Sequence, residues 1–570
     1  MSEIHISKHG NVLFEDKIIA QPELYNALLA FEKSETHAHL VGSVRFDNLW
    51  KKMMVREDIS FKPIFENQDM MQRFKINFLG IQGADTSLMQ NYIVNSFRYA
   101  QRLYRSHAMS QLDHEKYVSI KGQFRGLLQM GINSERELDN FVFKHELMGH
   151  FLYKSDDKNL RSELSISAVK DVIIQNNQEG VVYLELRIGV TTNVASMISK
   201  IHETIDGIRA ANRLLAAARK QPTTTKIIIS FKRQKYNAED AYAARQQQLN
   251  LDLFRAVKNQ IAQDPTWQEY ICGIDVAKLE EEMPPKMFSE LFDEFQEYNK
   301  GKDEDKKLKA TYHVGESYRS ISVESSLRHV HEVINFGVNR LGHCIILGID
   351  PEDIISQDGK TIGLVGQIRK EPITERLDQI EYDMSLARIR SDLVSSSYDE
   401  LESERIRLLN VIERDKNVLI EIRYTPEKVQ EFKRRQEYIM DMILEKNNAG
   451  QRLAVEVCPT SNIVIGNIPA MYKHPVGRFI KKGIPFTVNT DDGGIFGVNL
   501  AYELHEIITK NNLSNEAALQ VIKSGFTHAF RKIPADQYTR IERKYENSSL
   551  HLSISDYQNQ FRNKILQKTF

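Results

Sequence analysis

Eight short apolar runs, nearly all followed by a helical pattern, constrain this 570-residue chain more than any other feature. Runs rich in Val, Ile and Tyr, such as residues 181–188 and 225–231, are typical of buried strands. The strand candidates are the run near His37, residues 181–188, 225–231, 270–276, 310–316, 338–344 and 453–458, and the run that leads to Asp491. Strands that alternate with helices predict a parallel sheet with helices outside it.

Eight strand–helix units predict an α/β fold, a (β/α)8 TIM barrel with helical insertions. We expect a polar lead-in over residues 1–33, the barrel over 34–532 and a tail over 533–570. Helical insertions are expected at about 50–178 and 350–448. The second insertion is dense in charged residues with apolar residues at helical spacing, which fits either a solvated helical hairpin or an oligomerisation element.

Composition excludes several classes of protein. Hydrophobic residues make up 41% and charged residues 27%, and the net charge is -1, so no nucleic-acid or membrane surface is expected. Only three cysteines are present, all in or beside apolar runs, which favours core thiols in a reducing compartment. No signal-like or membrane-spanning run is found, so we expect a soluble, cytoplasmic protein.

Residues with metal-binding chemistry stand at the ends of these runs. The run at residues 484–488 leads to Asp491 and Asp492, followed by two glycines. Taken alone, this could be an ordinary Asp-Asp-Gly-Gly turn. His37 and His39 face the same way if they lie on a strand, so they can reach one point together, although a single His-x-His pair is often incidental.

The carboxyl ends of barrel strands meet at one mouth, where His313, Glu316 and His343 would also lie. Three histidines and one carboxylate, His37, His39, His313 and Asp491, suffice to hold zinc and leave a position for water. Glu316 could exchange a proton with substrate, and His343 is a natural base or electrostatic partner. These parts predict metal-assisted hydrolytic attack on a carbon that carries a leaving group.

His145 and His150, by contrast, are five residues apart and cannot share a helix face as zincin ligands do, so we interpret them as ordinary helix residues.

Seven motifs in order make the chain resemble the adenosine deaminase family of the amidohydrolase superfamily. They are Thr36–Leu40 with Gly42–Ser43, Tyr183–Arg187, Gly273–Asp275, His313–Glu316, Arg340–His343, Glu456–Asn462 and Asn489–Asp492.

The resemblance implies one zinc ion per subunit, with His37, His39, His313 and Asp491 as ligands. It implies that Glu316 protonates the purine ring nitrogen and that His343 orients or deprotonates the attacking water. It also implies that Asp492 is catalytic and binds substrate by hydrogen-bonding the five-membered ring. Lys278 and Gly315 are further candidate substrate-binding residues.

Two positions depart from the family pattern. Val41 stands where an acidic residue contacts the ribose 5′-hydroxyl, and Lys278 stands where a glycine approaches the purine. Lys278 either points to solvent, obstructs the pocket or offers a cation to a phosphate. Val41 cannot accept a hydrogen bond from the 5′-hydroxyl, and Lys278 adds a positive charge nearby. These two differences motivate the hypothesis that the substrate carries a 5′-phosphate.

We therefore predict a zinc-dependent hydrolase that converts an adenine nucleoside or nucleotide, in its ribose or deoxyribose form, to the inosine counterpart with release of ammonia. Its partner would be this small molecule, with no nucleic acid and no membrane, and homo-oligomerisation is expected through the second insertion or the tail. A two-metal amidohydrolase is the second enzymatic alternative, but the fourth strand lacks the bridging lysine. A catalytically gated or inactive purine-binding sensor or assembly protein of the same fold is the non-enzymatic one.

Overall fold

The computed structural model describes residues 4–546 apart from 7–11, 15–16, 20, 69, 73–85, 107–108, 132–137, 192, 234–240, 281–282, 356–362 and 467. Its strands are β1 (Ile4–Ile6), β2 (Val12–Phe14), β3 (Lys17–Ile18), β4 (Lys33–His39), β5 (Val181–Gly189), β6 (Thr224–Lys232), β7 (Ile271–Ala277), β8 (Lys309–Val314), β9 (Arg340–His343), β10 (Ile368–Pro372), β11 (Leu419–Arg423), β12 (Ala454–Val457) and β13 (Phe486–Val488).

Helices cover much of the remaining described chain. The α-helices are Pro22–Ala30, Leu40–Ser43, Phe46–Val55, Lys62–Phe65, Thr86–Arg105, Gln111–Leu128, Leu138–Tyr153, Lys158–Gln178, Val194–Ala217, Ala241–Gln263, Pro265–Tyr270, Ser289–Asn299, Val323–Asn335, Ile373–Ile389, Tyr398–Ile412, Pro426–Asn448, Pro459–Val464, Val476–Lys482, Leu500–Lys510, Asn515–Thr527 and Ala535–Glu546. Short 3₁₀ helices cover Pro285–Phe288, Ile345–Leu347, Pro351–Asp353, Ser391–Leu393 and Met471–Lys473.

Eight parallel strands form one sheet in the order β13-β12-β9-β8-β7-β6-β5-β4. The two outer strands of this order meet where Asp491, just past β13, bridges to β4. The Asp491 N–H donates to the His37 carbonyl at 2.9 Å, and the His39 N–H donates to the Asp491 carbonyl at 3.0 Å. The sheet is therefore a nearly closed (β/α)8 barrel, and each of the eight predicted strands is confirmed.

The barrel strands are apolar because both faces of a parallel sheet are covered. β5 is buried along its length except at Gly189, and β7 is buried throughout. Outside, the helix Val194–Ala217 turns Met197, Ile201 and Ile208 inward at three- to four-residue spacing. This apolar stripe packs the helix against the core and fixes the strand ends that carry polar residues.

Two further sheets lie outside the barrel. β1, β2 and β3 form a small sheet in the lead-in, and β10 pairs with β11 in antiparallel register. β11 is thus a short strand inside the second insertion, which the sequence predicts to be helical. The helices around this hairpin carry an apolar cluster of their own, with Ile380 and Leu408 buried in it.

After β7, a 3₁₀ turn, Pro285–Phe288, leads into the α-helix Ser289–Asn299. The three cysteines are buried free thiols. Within the described ranges, no helix has both the length and the apolar character needed to cross a membrane. The domain boundaries, the cytoplasmic location and the role of the second insertion stay predictions, and the tail beyond residue 546 lies outside the described residues.

Candidate metal and active site

Four side chains from three parts of the barrel converge at its carboxyl end. His37 and His39 lie in β4, His313 lies in β8 and Asp491 follows β13. One ligand atom from each lies within 4.8 Å of the others. The strand-end positions predicted from sequence are thus brought to one place.

The spacing of these atoms suits one metal ion. Nε2 of His39 lies 3.1 Å from Nε2 of His313, and Oδ1 of Asp491 lies 3.4 Å from Nε2 of both His37 and His39. Donors about 2.0–2.1 Å from a tetrahedral zinc ion lie roughly 3.3 Å from one another. Nε2 of His37 is fully buried and has no hydrogen-bond partner in the described structure, which would be costly without a ligand. The residues present therefore fit a metal ion.

Buried carboxylates orient two of the histidines. Nδ1 of His37 donates to Oε2 of Glu456 at 2.8 Å, and Nδ1 of His313 donates to Oδ1 of Asp275 at 3.0 Å. With the proton on Nδ1, the lone pair of Nε2 faces the donor cluster. Arg187 links the two carboxylates, at 3.1 Å from Asp275 and 2.7 Å from Glu456. The network fixes both rings in the form that binds a metal.

A second possible donor set shares His37 and Asp491 but replaces the other two ligands with His343 and Cys458. A thiol must lose its proton to bind a metal. Burial, reinforced by the charge of Asp491, raises the pKa of Cys458 well above its usual value. The set with three histidines is the better candidate, because it needs no buried thiolate.

Glu316 and His343 lie beside the cluster. Oε1 of Glu316 lies 3.3 Å from Nδ1 of His343, and Nε2 of His343 lies 3.9 Å from Oδ2 of Asp491. Burial, together with the charges of Asp491 and Glu280, raises the pKa of Glu316 well above its usual value. Burial lowers the pKa of His343 well below its usual value. The pair therefore offers a protonated carboxyl and a neutral imidazole, one to give a proton and one to accept it.

Asp492 is seated against Gly42. A Cβ on Gly42 would lie 1.6 Å from Oδ1 of Asp492, so no larger residue fits there without moving the carboxyl group. Burial, then the charges of Asp491 and Glu316, raise the pKa of Asp492 well above its usual value. A protonated Asp492 can donate a hydrogen bond to a ring nitrogen.

Three predicted site residues have left-handed backbone conformations. Lys278, His343 and Asp491 have φ of 81°, 60° and 59°. Such angles cost energy in residues that carry a Cβ, and they concentrate where geometry serves function. The Lys278 carbonyl accepts a hydrogen bond from Arg233 at 2.8 Å, which holds this turn.

A cavity of about 620 Å³ opens above the cluster, within the size range of small-molecule sites. Its wall includes His39, His313, Glu316, His343, Asp491, Asp492 and the two residues that depart from the family pattern, Val41 and Lys278. Lys278 is exposed and lines the cavity at the same time. Gly315 is not among the lining residues, and its N–H donates to Glu280 at 2.6 Å, so its role in substrate binding stays a prediction.

Some lining residues were not found from sequence. His145, interpreted above as an ordinary helix residue, lies on the helix Leu138–Tyr153 and lines the cavity. Burial, reinforced by Lys278, lowers its pKa to about 4. Lys200 and Lys232 also line the wall. The one sequence signal that could have identified Lys200 and Lys232 as lining residues is their position after a strand or at its end.

Comparison with known proteins gives a family match in the C-terminal part of the chain. Residues 436–545 match the family model for adenosine deaminase. An aminodeoxyfutalosine deaminase from Streptomyces coelicolor is 33% identical over 86 residues, 15% of this chain and 22% of that protein. An adenosine deaminase from Plasmodium vivax is 35% identical over 78 residues, 14% of this chain and 20% of that protein. The chain thus spans about a fifth of the length of these curated relatives.

A solved structure of an N6-methyl-AMP deaminase from Arabidopsis thaliana aligns over 92% of this chain and 99% of its own, with 14% identity and a TM-score of 0.46. The family match itself includes two strand-end motifs, at residues 456–462 and 489–492. Over residues 436–545, the chain is therefore similar to the adenosine deaminase family.

Proposed function

We propose that this protein is a zinc-dependent hydrolase that deaminates an adenine nucleoside or nucleotide. The observation that carries the proposal is the meeting of the four-donor cluster, Glu316 and His343 in one cavity. The reaction consumes water and releases ammonia, and it leaves the inosine counterpart of the substrate. His37, His39, His313 and Asp491 would hold one zinc ion per subunit. The chemistry that zinc supplies in such sites is activation of a water molecule near neutral pH.

The protein's own groups would carry the protons. Glu316, kept protonated by burial, would donate to the purine nitrogen beside the amino-bearing carbon and make that carbon electrophilic. His343, neutral and 3.3 Å from Glu316, would take a proton from the attacking water. The carbon–oxygen bond forms and the carbon–nitrogen bond breaks. The proton taken by His343 passes to the amino group, which leaves as ammonia, and the second proton of the former water returns to Glu316. Asp492 would hold the five-membered ring and so set the distance between the purine and Glu316.

Ammonia release from the zinc-loaded protein tests the proposal. The panel contains adenine, adenosine, deoxyadenosine, AMP, dAMP, ATP and dATP. Glu316→Gln removes the proposed acid and should lower kcat about 10²- to 10⁴-fold while zinc content stays unchanged.

Glu371→Gln is the matched control. Burial also raises the pKa of Glu371, to about 7, but this residue lies in β10, outside the cavity. Equal losses in the two variants, or no ammonia from any member of the panel, would contradict the proposal. Homo-oligomerisation and cytoplasmic location remain predictions that this experiment does not touch.

A further inference from the structure

Three lysines gather on one side of the cavity. Lys200 lies on the helix that follows β5, Lys232 ends β6, and Lys278 follows β7. All three line the cavity. They come from three consecutive strand–helix units, so this part of the barrel mouth is cationic.

The three lysines form no close ion pair with a described carboxylate, although the charge of Glu203 partly opposes the lowering of the Lys200 pKa. Within the described ranges, no carboxylate lies within 4 Å of any of their ammonium groups. The Nζ of Lys200 donates to the carbonyl of Gly189 at 2.9 Å, which orients it without neutralising it. Burial, then the charge of Lys232, lowers the pKa of Lys200 to about 8. Burial and the charge of Lys278 lower the pKa of Lys232. Like charges held together in this way are unfavourable until an anion joins them.

Two other charged groups of the wall, Arg187 and Glu280, are already engaged. Arg187 is bound by two buried carboxylates. Glu280 accepts the N–H groups of Gly315, at 2.6 Å, and of Ser317. Of the lysine and arginine residues that line the cavity, the three lysines are the ones without an ion pair to a described carboxylate within 4 Å.

The cavity is therefore polarised along the barrel mouth. The metal-fitting cluster, Glu316 and His343 come from β4, β8, β9 and the turn after β13, whereas the lysines come from the β5–β7 side. A ligand with a purine at one end and an anion at the other matches this distribution. An adenine ring at Glu316 would extend its ribose and 5′ substituent into the same cavity.

We propose that Lys200, Lys232 and Lys278 form a phosphate-binding subsite that makes a 5′-phosphorylated adenine nucleotide the substrate class. This inference rests on the proposed function, because the purine end of the ligand is placed by Glu316. Arg233 donates a hydrogen bond to the Lys278 carbonyl and so holds the backbone turn at Lys278 in place before a ligand binds. The lysines act as point charges on the phosphate and do not take part in the chemical step.

The test compares nucleotides with adenosine on the zinc-loaded full chain. Lys232→Met and Lys278→Met remove charge while keeping side-chain length. We expect the native protein to turn over at least one phosphorylated member with a kcat/KM at least 10-fold above that of adenosine. Each substitution should lower kcat/KM for that nucleotide about 10- to 100-fold and change that for adenosine less than about 3-fold.

Lys226→Met is the matched control. Lys226 lies in β6 like Lys232, but its Nζ donates to the Glu269 carbonyl, and it does not line the cavity. This variant should behave like the native protein. A higher kcat/KM for adenosine than for every phosphate would overturn the inference, and so would equal losses for adenosine and nucleotide in the lysine variants.

A binding measurement separates failure of the subsite from failure of the proposed reaction. Calorimetry with ATP and AMP on Glu316→Gln, with and without Lys232→Met, reports the phosphate contact without turnover. Lysine-dependent binding without ammonia release from the native protein would support the subsite and refute the deaminase. Turnover of adenosine together with lysine-independent nucleotide binding would refute the subsite alone.

Discussion

Replacing Glu456 by glutamine tests whether a buried carboxylate keeps the candidate metal site in its binding form. Oε2 of Glu456 accepts hydrogen bonds from His37 at 2.8 Å and from Thr311 at 2.9 Å. It also pairs with Arg187 at 2.7 Å, and Oε1 lies 2.7 Å from Nε of Arg340. Both ion pairs are fully buried. Glu456→Gln keeps the shape of the side chain but removes its charge and turns an NH₂ group towards a donor.

The size of the effect follows from these contacts. Removal of one partner from a buried ion pair costs about 3–5 kcal/mol, because the other charge stays behind. Arg187 keeps Asp275 and Arg340 keeps Glu185, so we expect the low end of this range for the free energy of unfolding. Loss of the carboxylate behind a metal-binding histidine lowers metal affinity about 10- to 100-fold. Glu456→Gln should show both losses.

Glu185→Gln is the matched control. Glu185 pairs with Arg340 and accepts the Tyr183 hydroxyl at 2.7 Å, but it does not contact His37. Zinc affinity is measured by competition with a chromophoric chelator, and stability by denaturant unfolding of metal-free protein. We expect Glu185→Gln to lose stability and keep zinc affinity. Native zinc affinity in Glu456→Gln, or an equal loss of affinity in Glu185→Gln, would refute the role given to the Glu456–His37 bond.

Further predictions concern the cavity. Gly42→Ala should lower kcat at least about 10-fold at unchanged zinc content, measured by ammonia release, because the added Cβ would displace the Asp492 carboxyl group. The KM for nucleotides should rise as pH rises through about 8, because Lys200 loses its charge there, whereas the KM for adenosine should follow a different pH profile. A nucleotide KM that stays constant between pH 7 and 9.5 would contradict this prediction. Lys200→Met should raise the free energy of unfolding of the ligand-free protein by about 0.5–2 kcal/mol in denaturant titrations, because it removes a buried charge that Lys232 repels. The same variant should bind nucleotides more weakly. Lower stability with unchanged nucleotide binding would show a structural role instead.

Much of the barrel could be predicted from sequence, because parallel strands are continuous apolar runs with abrupt ends. The polar residues after such runs, His313 and Asp491 for example, stand out against their neighbours. Their meeting point follows from barrel geometry, in which the first and last strands are adjacent. The structure adds that the Asp491 backbone itself joins β13 to β4 at the cluster.

Other parts of the site could not be predicted in this way. Lys200 lies on an amphipathic helix and Lys232 at a strand end, where lysines are common. The cavity that they line is formed only when distant strands and helices pack together. His145 was set aside because its spacing to His150 does not fit a metal helix. A spacing of five residues excludes a shared metal ion on one helix face, but it does not indicate which face of the helix covers the barrel mouth.

Zinc titration of chelator-treated protein, with ammonia release from AMP, ATP and adenosine as the readout, tests the central claim most directly. The proposed site predicts no activity in the stripped protein and a linear rise that ends at one zinc ion per chain. His313→Ala, which removes one proposed ligand, should show no such rise. Full activity without metal, a requirement for two ions per chain, or zinc binding at one ion per chain with no ammonia from any substrate would contradict it.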